Sequence, residues 1–340
     1  NTLGGRIYFD GNLIPKNNQF SFNAQTQMQN LDLQQVLKGM NSFGLKSLKT
    51  DEIKGKLSAN TTIFGILLPK GDVVRNTISL NINTASISTL GGTIDFDGQL
   101  FPKNKLYAFN FNSQVNQINI IDFLDTFDNF GMTSLNTKHL NGSLSFSANA
   151  NGFLLPNWHL FSNEFNATLS NGIFKSLDGE ITFNTQIVPK NDAFAFTSNT
   201  QISNINLEQF ISTFDYFGIK KLEKQKIKGR FSSIINLKGT LLRQGNIAEN
   251  SINIELKKGM IKTMDGTIDF DGKLIPKNNK YNFSSNAKIN RVAIEQFLET
   301  FDNFGITSFQ PKNIHGQLNA KASVNGFLEA NGKFVPNSIA

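Results

Sequence analysis

The sequence predicts a mainly β protein with short helices: a repeat array forming an elongated curved sheet or open β-groove, with one amphipathic helix per 87-residue repeat. Three observations carry this. A helix-like segment closing on glycine recurs, and its glycines stand at 44, 131, 218 and 305, a constant step of 87 residues. Apolar and polar residues alternate on both sides of every copy, the period of a half-buried strand. No stretch rich in proline, serine or charge separates the copies. They read as one continuous array, with repeat 1 at 1–90, repeat 2 at 91–177, repeat 3 at 178–264 and an incomplete repeat 4 at 265–340.

Each repeat opens on a strand. Ile7, Phe9, Gly11 and Leu13 alternate with polar residues, as do Ile94 and Phe96, Ile181 and Phe183, and Ile268 and Phe270 in the later copies. Pro15, Pro102, Pro189 and Pro276 are expected to end this strand, each followed by Lys and Asn in a turn. The second strand carries Phe20 and Phe22, matched by Phe109 and Phe111, Phe194 and Phe196, and Phe283. The short separation predicts an antiparallel hairpin.

The helix follows. In Asn119 to Gly131, Ile120, Phe123, Leu124, Phe127 and Phe130 fall on one stripe at 3.6 residues per turn. The copies place Phe210, Phe214 and Phe217, then Phe297, Phe301 and Phe304, at the matching positions. Asp32, Asn119 and Asn206 are candidate caps for the first-turn amides, and Ala293 in the fourth copy cannot serve. The closing glycine is expected to stop the helix at φ > 0. A third strand then alternates from Leu140 through Gly142, Leu144, Phe146 and Gly152, with Phe231 and Leu318 at the Leu144-type position in later copies. Its two glycines suggest bends or close backbone approach. A fourth strand, Phe165, Ala167 and Leu169 in repeat 2, leads into the next copy.

One short helix per repeat covers only part of such a face. The rest must meet another sheet, curl on itself or face a ligand. Phe numbers 32 against 4 Tyr and 1 Trp, so the aromatics form apolar lining without polar handles. The net charge of +7 is spread along the chain, and its basic residues are not interleaved with aromatics on one polar face, which argues against nucleic acid. The chain has no cysteine, hence no disulfide framework or thiolate metal site. His139, His159 and His315 occupy no equivalent positions, and no nucleophile elbow is present, so no catalytic residue, metal site or cofactor is expected. Asp95 and Asp97, with Asp269 and Asp271, lie on the polar side of a strand and lack the spacing of a calcium loop. Lys16, Lys103, Lys190 and Lys277 are expected to row along one rim, either solvating turns or meeting anionic head groups.

The segment Phe127 to Gly152, FDNFGMTSLNTKHLNGSLSFSANANG, resembles the AsmA-like C-terminal family. The features that carry the resemblance are Phe127, Asn129, Phe130 and Gly131, followed by Leu140, Gly142, Leu144 and Ser145. The copy at Phe301 to Gly326 matches as well, those at Met40 to Gly65 and Phe214 to Gly239 more loosely; in the last, Tyr216 replaces Asn and Arg230 and Phe231 replace the Ser-Leu pair. The resemblance implies a groove protein of the AsmA/TamB type in the Gram-negative envelope, anchored in the inner membrane and reaching through the periplasm, with phospholipids as cargo and the inner and outer membranes as partners. It supplies no catalytic residues. The membrane anchor it implies is not in these residues, and the chain reads as a piece of a longer protein, monomeric as an array.

The function expected is therefore non-enzymatic: phospholipid-like molecules held along a lining of Ile7, Phe9, Phe20, Phe22, Ile94, Phe96, Phe109, Phe111, Leu144 and Phe146 with their counterparts, the helix phenylalanines shaping it. The alternative is a structural or adhesive repeat protein with a closed apolar core, whose polar face binds proteins or glycans.

Overall fold

The alternation that defines the first two strands places their partners in register. In the computed structural model, which describes residues 3–39, 53–74, 76–126, 136–213, 227–243, 246–306, 310–329 and 333–339, β1 (Arg6–Lys16) pairs antiparallel with β2 (Gln19–Asp32). Gly11 stands opposite Ala24 and Leu13 opposite Phe22. Helix α1 (Leu33–Gly39) follows, then β3 (Gly55–Leu67) and β4 (Ser79–Thr89). The same order of two strands, helix and two strands continues as β5 (Gly92–Lys103), β6 (Leu106–Asn119), α2 (Ile120–Thr126), β7 (Ser143–Leu154) and β8 (Leu160–Ser176). It continues again as β9 (Gly179–Lys190), β10 (Ala193–Asn206), α3 (Leu207–Thr213), β11 (Arg230–Leu242) and β12 (Asn253–Thr263). The last run is β13 (Gly266–Lys277), β14 (Lys280–Ala293), α4 (Ile294–Thr300) and β15 (Gln317–Leu328). The described chain is mainly β, 67% strand and 12% helical, its sheet antiparallel and not closed, with strands hydrogen-bonded in sequence order.

Two compact units are distinguished. The first comprises Asn1–Met132, Ser143–Gly172 and Gln186–Phe194; the second comprises Thr133–Gly142, Ile173–Thr185 and Ala195–Ala340.

The prolines do not end their strands. Pro102 lies inside β5 opposite Tyr107, and Pro276 inside β13 opposite Tyr281, each one residue before the end. The pairing of β5 with β4 stops at Leu100, and that of β13 with β12 at Leu274, so the edge where the missing N–H would point has no ladder to interrupt. The turns beyond are left-handed at two successive residues, Asn17 and Asn18, Asn104 and Lys105, Asn278 and Asn279, as two-residue hairpins require.

One feature of the second strand breaks its alternation. Asn30, Gln117, Asn204 and Arg291 all have φ between 52° and 54°, and the ladder shifts there between Met28 and Leu31, Val115 and Ile118, and Ile289 and Val292. The extra residue is a β-bulge. Its amide is satisfied from the next strand: Asn30, Gln117 and Asn204 donate to the hydroxyls of Ser58, Ser145 and Ser232 at 3.1, 2.9 and 2.9 Å, and Arg291 to Asn319 Oδ1 at 3.0 Å. The serine of the Leu-x-Gly-x-Leu-Ser pattern thus has a structural task. Turning the chain here drives Leu31, Ile118, Ile205 and Val292 inward, to 2%, 1%, 0% and 0% exposure.

The helices start as their caps dictate. Asp32 Oδ1 accepts from Gln35 N at 3.1 Å, Asn119 Oδ1 from Ile121 N and Asp122 N at 2.9 and 3.1 Å, and Asn206 Oδ1 from Gln209 N at 3.1 Å. Ala293 offers no side-chain bond. Each α-helix is only seven residues long, too short to stand without packing. Leu33 and Leu37 of α1 cluster with Ile53 and Ile87. Thr126, Thr213 and Thr300, nearly fully buried, donate to the carbonyls of Asp122, Gln209 and Gln296 at 2.7 to 2.8 Å and close the last turns. The expected thirteen-residue span is too long in the fourth copy: α4 ends at Thr300, Phe301 caps it, and Asp302–Gly305 form a 3₁₀ turn with Asp302 and Asn303 left-handed. Phe127, Phe130, Phe214, Phe217 and the glycines at 44, 131 and 218 lie outside the described residues, as does the side chain of Phe304.

The third strand also begins later than its pattern suggests. Leu140 caps a 3₁₀ turn (Thr137–His139) and is buried, and β7 starts at Ser143. Between them, Gly142 admits the carbonyl of Lys175, while Ser176 Oγ donates to the carbonyl of Asn141 at 3.1 Å. Thr89 and Thr263 make the same bond to the carbonyls of Lys54 and Lys228, beside Gly55 and Gly229. The Leu-x-Gly part of the pattern is a pinch between strands.

Candidate functional site

In an antiparallel pair, directly opposed residues point to the same face. Following the register through the first unit, Ile7, Met28, Ala59, Ala85, Phe96, Ser113 and Ala148 form one transverse row. A second row on this face runs Ala24, Ile63, Leu80, Leu100, Phe109 and Gly152. In the second unit, Phe231, Ile261, Ile268, Ile289 and Ala320 make one row, and Leu237, Ile254, Leu274, Phe283 and Gly326 another. Within each unit the apolar residues of a row share one face, and the ladder shifts at bulges between the rows, as at Ile82/Ala85 and Leu256/Gly259.

Glycine and phenylalanine interlock on that face. A Cβ on Gly65, Gly239 or Gly326 would come to 2.5, 2.6 or 2.9 Å from the ring of Phe22, Phe196 or Phe283, and one on Gly152 to 3.3 Å from Phe109. The ring lies over the bare backbone of the adjacent strand, so at Gly65, Gly239 and Gly326 a side chain would displace the aromatic that covers it. Over Gly152, Phe109 also meets Phe165 at 6.4 Å between centroids. At the helix end of the second unit, Phe210 of α3 meets Phe231 at a tilt, 5.3 Å between centroids, and Phe231 stacks on Phe270 at 6.1 Å.

The expected lining residues differ in exposure. Phe109, Phe194 and Phe231 are buried and act as packing. Phe20, Phe22, Ile94, Phe96, Phe111, Leu144, Phe146, Ile181, Phe183, Phe196, Ile268, Phe270, Phe283 and Leu318 are half-buried. Ile7 and Phe9, on β1, are 42% and 70% exposed. Of the helix stripe, Phe123, Phe210, Phe297 and Phe301 are half-buried, and Phe297 packs on Phe301 at 5.1 Å.

The opposite face is a polar lattice. Ser86 Oγ donates to Asp95 Oδ1 at 2.6 Å, Asn112 Nδ2 to Asp97 Oδ1 at 2.9 Å, and Asn149 Nδ2 to Asn112 Oδ1 at 2.8 Å. In the second unit Asn286 Nδ2 donates to Asp271 Oδ1 at 3.0 Å, and Asn290 Nδ2 to Asp269 Oδ2 at 2.8 Å. The aspartate pairs are members of this lattice. The described residues hold no group of three or more histidine, cysteine or acidic side chains placed to bind a metal. His315 Nδ1 lies 3.5 Å from Glu295 Oε2, well exposed, and His139 is in the 3₁₀ turn before Leu140. Lys16, Lys103, Lys190 and Lys277 end β1, β5, β9 and β13, and Lys103 Nζ lies 5.8 Å from the Phe153 ring centroid. Trp158 stacks on Tyr107 at 4.8 Å, and the Tyr107 hydroxyl accepts from Asn76 N at 3.0 Å.

Glu255 lies on the same face in the second unit, within its own cluster of polar partners. Lys257 at 2.9 Å, Asn236 at 3.3 Å and Lys273 at 3.2 Å hold its carboxyl at about 2, against an ordinary 4.5, with the Lys257 hydrogen bond the largest cause. Because the folded value is the lower one, the carboxylate stabilises the fold above about 4.5, and that contribution is lost as pH falls through about 2. Between these values the urea midpoint of the native chain should fall more steeply than that of Glu255→Gln. Parallel curves would show that Glu255 makes no contribution of this kind. The effect is small, since the pair is accessible to solvent.

No family model, curated protein or solved structure matches the chain. Among the described residues no helix is long and apolar enough to cross a membrane.

Proposed function

We propose that the chain binds and conducts phospholipid-like molecules along its apolar face, without catalysis or cofactor. The observation that carries this reading is the shared apolar face whose phenylalanines and isoleucines are mostly half-buried rather than packed away. A core that needed only to close would bury them. An acyl chain laid on such a face leaves water at about 0.8 kcal/mol per CH₂. A head group could remain in solvent beyond the strand ends, where Lys16, Lys103, Lys190 and Lys277 stand.

The AsmA-like resemblance supports placing this activity in a Gram-negative envelope, with the full-length protein anchored in the inner membrane and serving outer-membrane assembly or lipid homeostasis from the periplasm. On this reading the array is monomeric, a β-groove built by its 87-residue repeats, and its partners are phospholipids and the two membranes. The buried Phe109, Phe194 and Phe231 support the competing view, a structural or adhesive array with a closed core.

The two are separated by native mass spectrometry and lipid extraction of the chain purified from a Gram-negative host. Co-purifying phospholipid is expected, reduced at least tenfold in Phe146→Asp/Phe183→Asp with the β circular dichroism spectrum retained. A chain that carries no lipid and refuses labelled phospholipid in vitro would replace the conducting role with the structural one.

A further inference from the structure

The first unit holds a depression of about 780 Å³ at mid-strand. It opens on the polar face. On β2, β3, β5, β6 and β7 it is lined by two polar-row residues flanking one apolar-row residue, as in Asp95, Phe96, Asp97 and in Asn112, Ser113, Gln114, and on β4 by Asn83, Thr84, Ala85 and Ser86. Alternate side chains share a face, so the outer two point in and the middle one contributes backbone. On β8 only polar-row Thr168 and Ser170 take part. The irregularity that makes room is on β4, where Asn83 and Thr84 intervene between Ile82, opposite Gly98, and Ala85, opposite Phe96.

The second unit has a depression of about 600 Å³ at the positions 174 residues later, twice the repeat interval. Asp269, Asp271 and Asn286 stand there for Asp95, Asp97 and Asn112. A cavity recurring at equivalent positions in two separate units belongs to the fold.

The chemistry of the first depression selects its ligand. Its lining contains no lysine, arginine or histidine, so nothing compensates an anion. Its only charged groups are Asp95 and Asp97, and both already accept hydrogen bonds within the lattice, Asp95 from Ser86 and Asn116 and Asp97 from Asn112. What it offers is a dense set of carboxamides, hydroxyls and carboxylates with fixed hydrogen-bond direction. Asn149 donates to Asn112, and Asn112 donates to Asp97, while Ser147 Oγ donates to Gln114 Oε1 at 2.5 Å. Each carboxylate accepts up to about four hydrogen bonds and each carboxamide both donates and accepts, which leaves outward donors and acceptors after the internal bonds are made. Neighbouring hydroxyls of a sugar ring meet such a set as donor and acceptor at once. The volume lies within the ordinary range for ligand sites, about 300 to 1,000 Å³.

We propose that this polar-face depression binds a neutral oligosaccharide. The site stands on the opposite face from the lipid reading and does not depend on it. In the second unit Lys258, Lys288 and Lys321 occupy the places of Thr84, Gln114 and Ser147, so that depression is not selective for neutral sugars.

The test is calorimetric titration of the full chain with neutral hexasaccharides of glucose, mannose and N-acetylglucosamine in several linkages. At least one should bind, and Asn112→Ala and Asn149→Ala should each weaken it at least tenfold. The equivalent Asn286→Ala and the apolar-face Phe146→Asp should leave it within twofold. Circular dichroism establishes that the variants fold, and Gln114→Ala provides an independent lining change should one of them fail. Absence of binding across the panel at millimolar sugar overturns the proposal. So does binding that Asn112→Ala, Asn149→Ala and Gln114→Ala leave intact, or binding abolished by Asn286→Ala alone.

Discussion

Gly142→Ala should destabilise the second unit by about 3 kcal/mol, the upper range for overpacking, because the new methyl has nowhere to go. It would overlap the carbonyl oxygen of Lys175 and lie 2.8 Å from its carbonyl carbon, and both are backbone atoms held in a strand. Relief requires separating β8 from the residues entering β7. That separation also costs the bond from Ser176 to the Asn141 carbonyl and leaves a buried hydroxyl unpaired. The fourth copy supplies the control. Gly316 holds the matching place, but a Cβ there meets nothing within 4 Å, so Gly316→Ala carries only the backbone cost of its φ of 137°. Urea denaturation of both variants should separate them by about 2 kcal/mol. Equal midpoints would mean that the close approach at Gly142 does not constrain the fold.

Both glycines of the third strand are legible in the sequence as sites of close approach, because glycine at a fixed place in an alternating strand gives up side-chain packing and needs a backbone reason to be there. The partner is not legible. Nothing in the local pattern says that Gly142 meets only a neighbouring strand's backbone while Gly152 meets both the backbone at Glu164 and Phe165 and the ring of Phe109. The apolar face itself is readable from period two, and its rows stand opposite one another from strand to strand although bulges shift the ladder between them. The extent of its burial is not, since that depends on whether a second layer covers it, and the exposures of Phe9 and Phe109 differ greatly for residues of the same type on the same face.

Two departures from the sequence pattern have definite causes. Proline ends a strand only where partners flank it on both sides; here the ladder on one side stops at Leu100 or Leu274, and proline is harmless beyond it. The bulge is absent from a period-two reading although the sequence carries a signal for it. Met28 and Leu31, Val115 and Ile118, Ile202 and Ile205, Ile289 and Val292 are each three apart, where a regular strand would keep an even separation. None of the bulged residues is glycine, and they vary between Asn, Gln and Arg, so a search for glycine misses them. The polar-face depression depends on a second irregularity, in β4, and on the lattice around it, neither of which a period-two reading registers.

The three-residue spacing leads to the second large effect. Ile205→Ala should cost about 3 to 4 kcal/mol, in the range for deleting a fully buried aliphatic side chain. Ile205 has no exposed surface, follows the left-handed Asn204, and precedes the cap Asn206, so bulge, sheet and helix start meet at this one side chain. Its backbone also lies against Gly179, whose Cβ position is 2.8 Å from Ile205 Cα and N, which limits how far the chain can move to fill the cavity. If the second unit unfolds at no lower denaturant in this variant, Ile205 is not the keystone its burial indicates. The lipid reading adds a sharper requirement. Ile205 does not line the accessible face, so the folded fraction of Ile205→Ala should carry as much phospholipid per chain as the native protein, while Phe146→Asp/Phe183→Asp loses lipid with its β spectrum retained. Stability and lipid load should therefore move independently in the two proteins. If instead lipid falls in proportion to stability whichever residue is changed, the bound lipid reports only on partial unfolding, and the half-buried phenylalanines are an incompletely closed core.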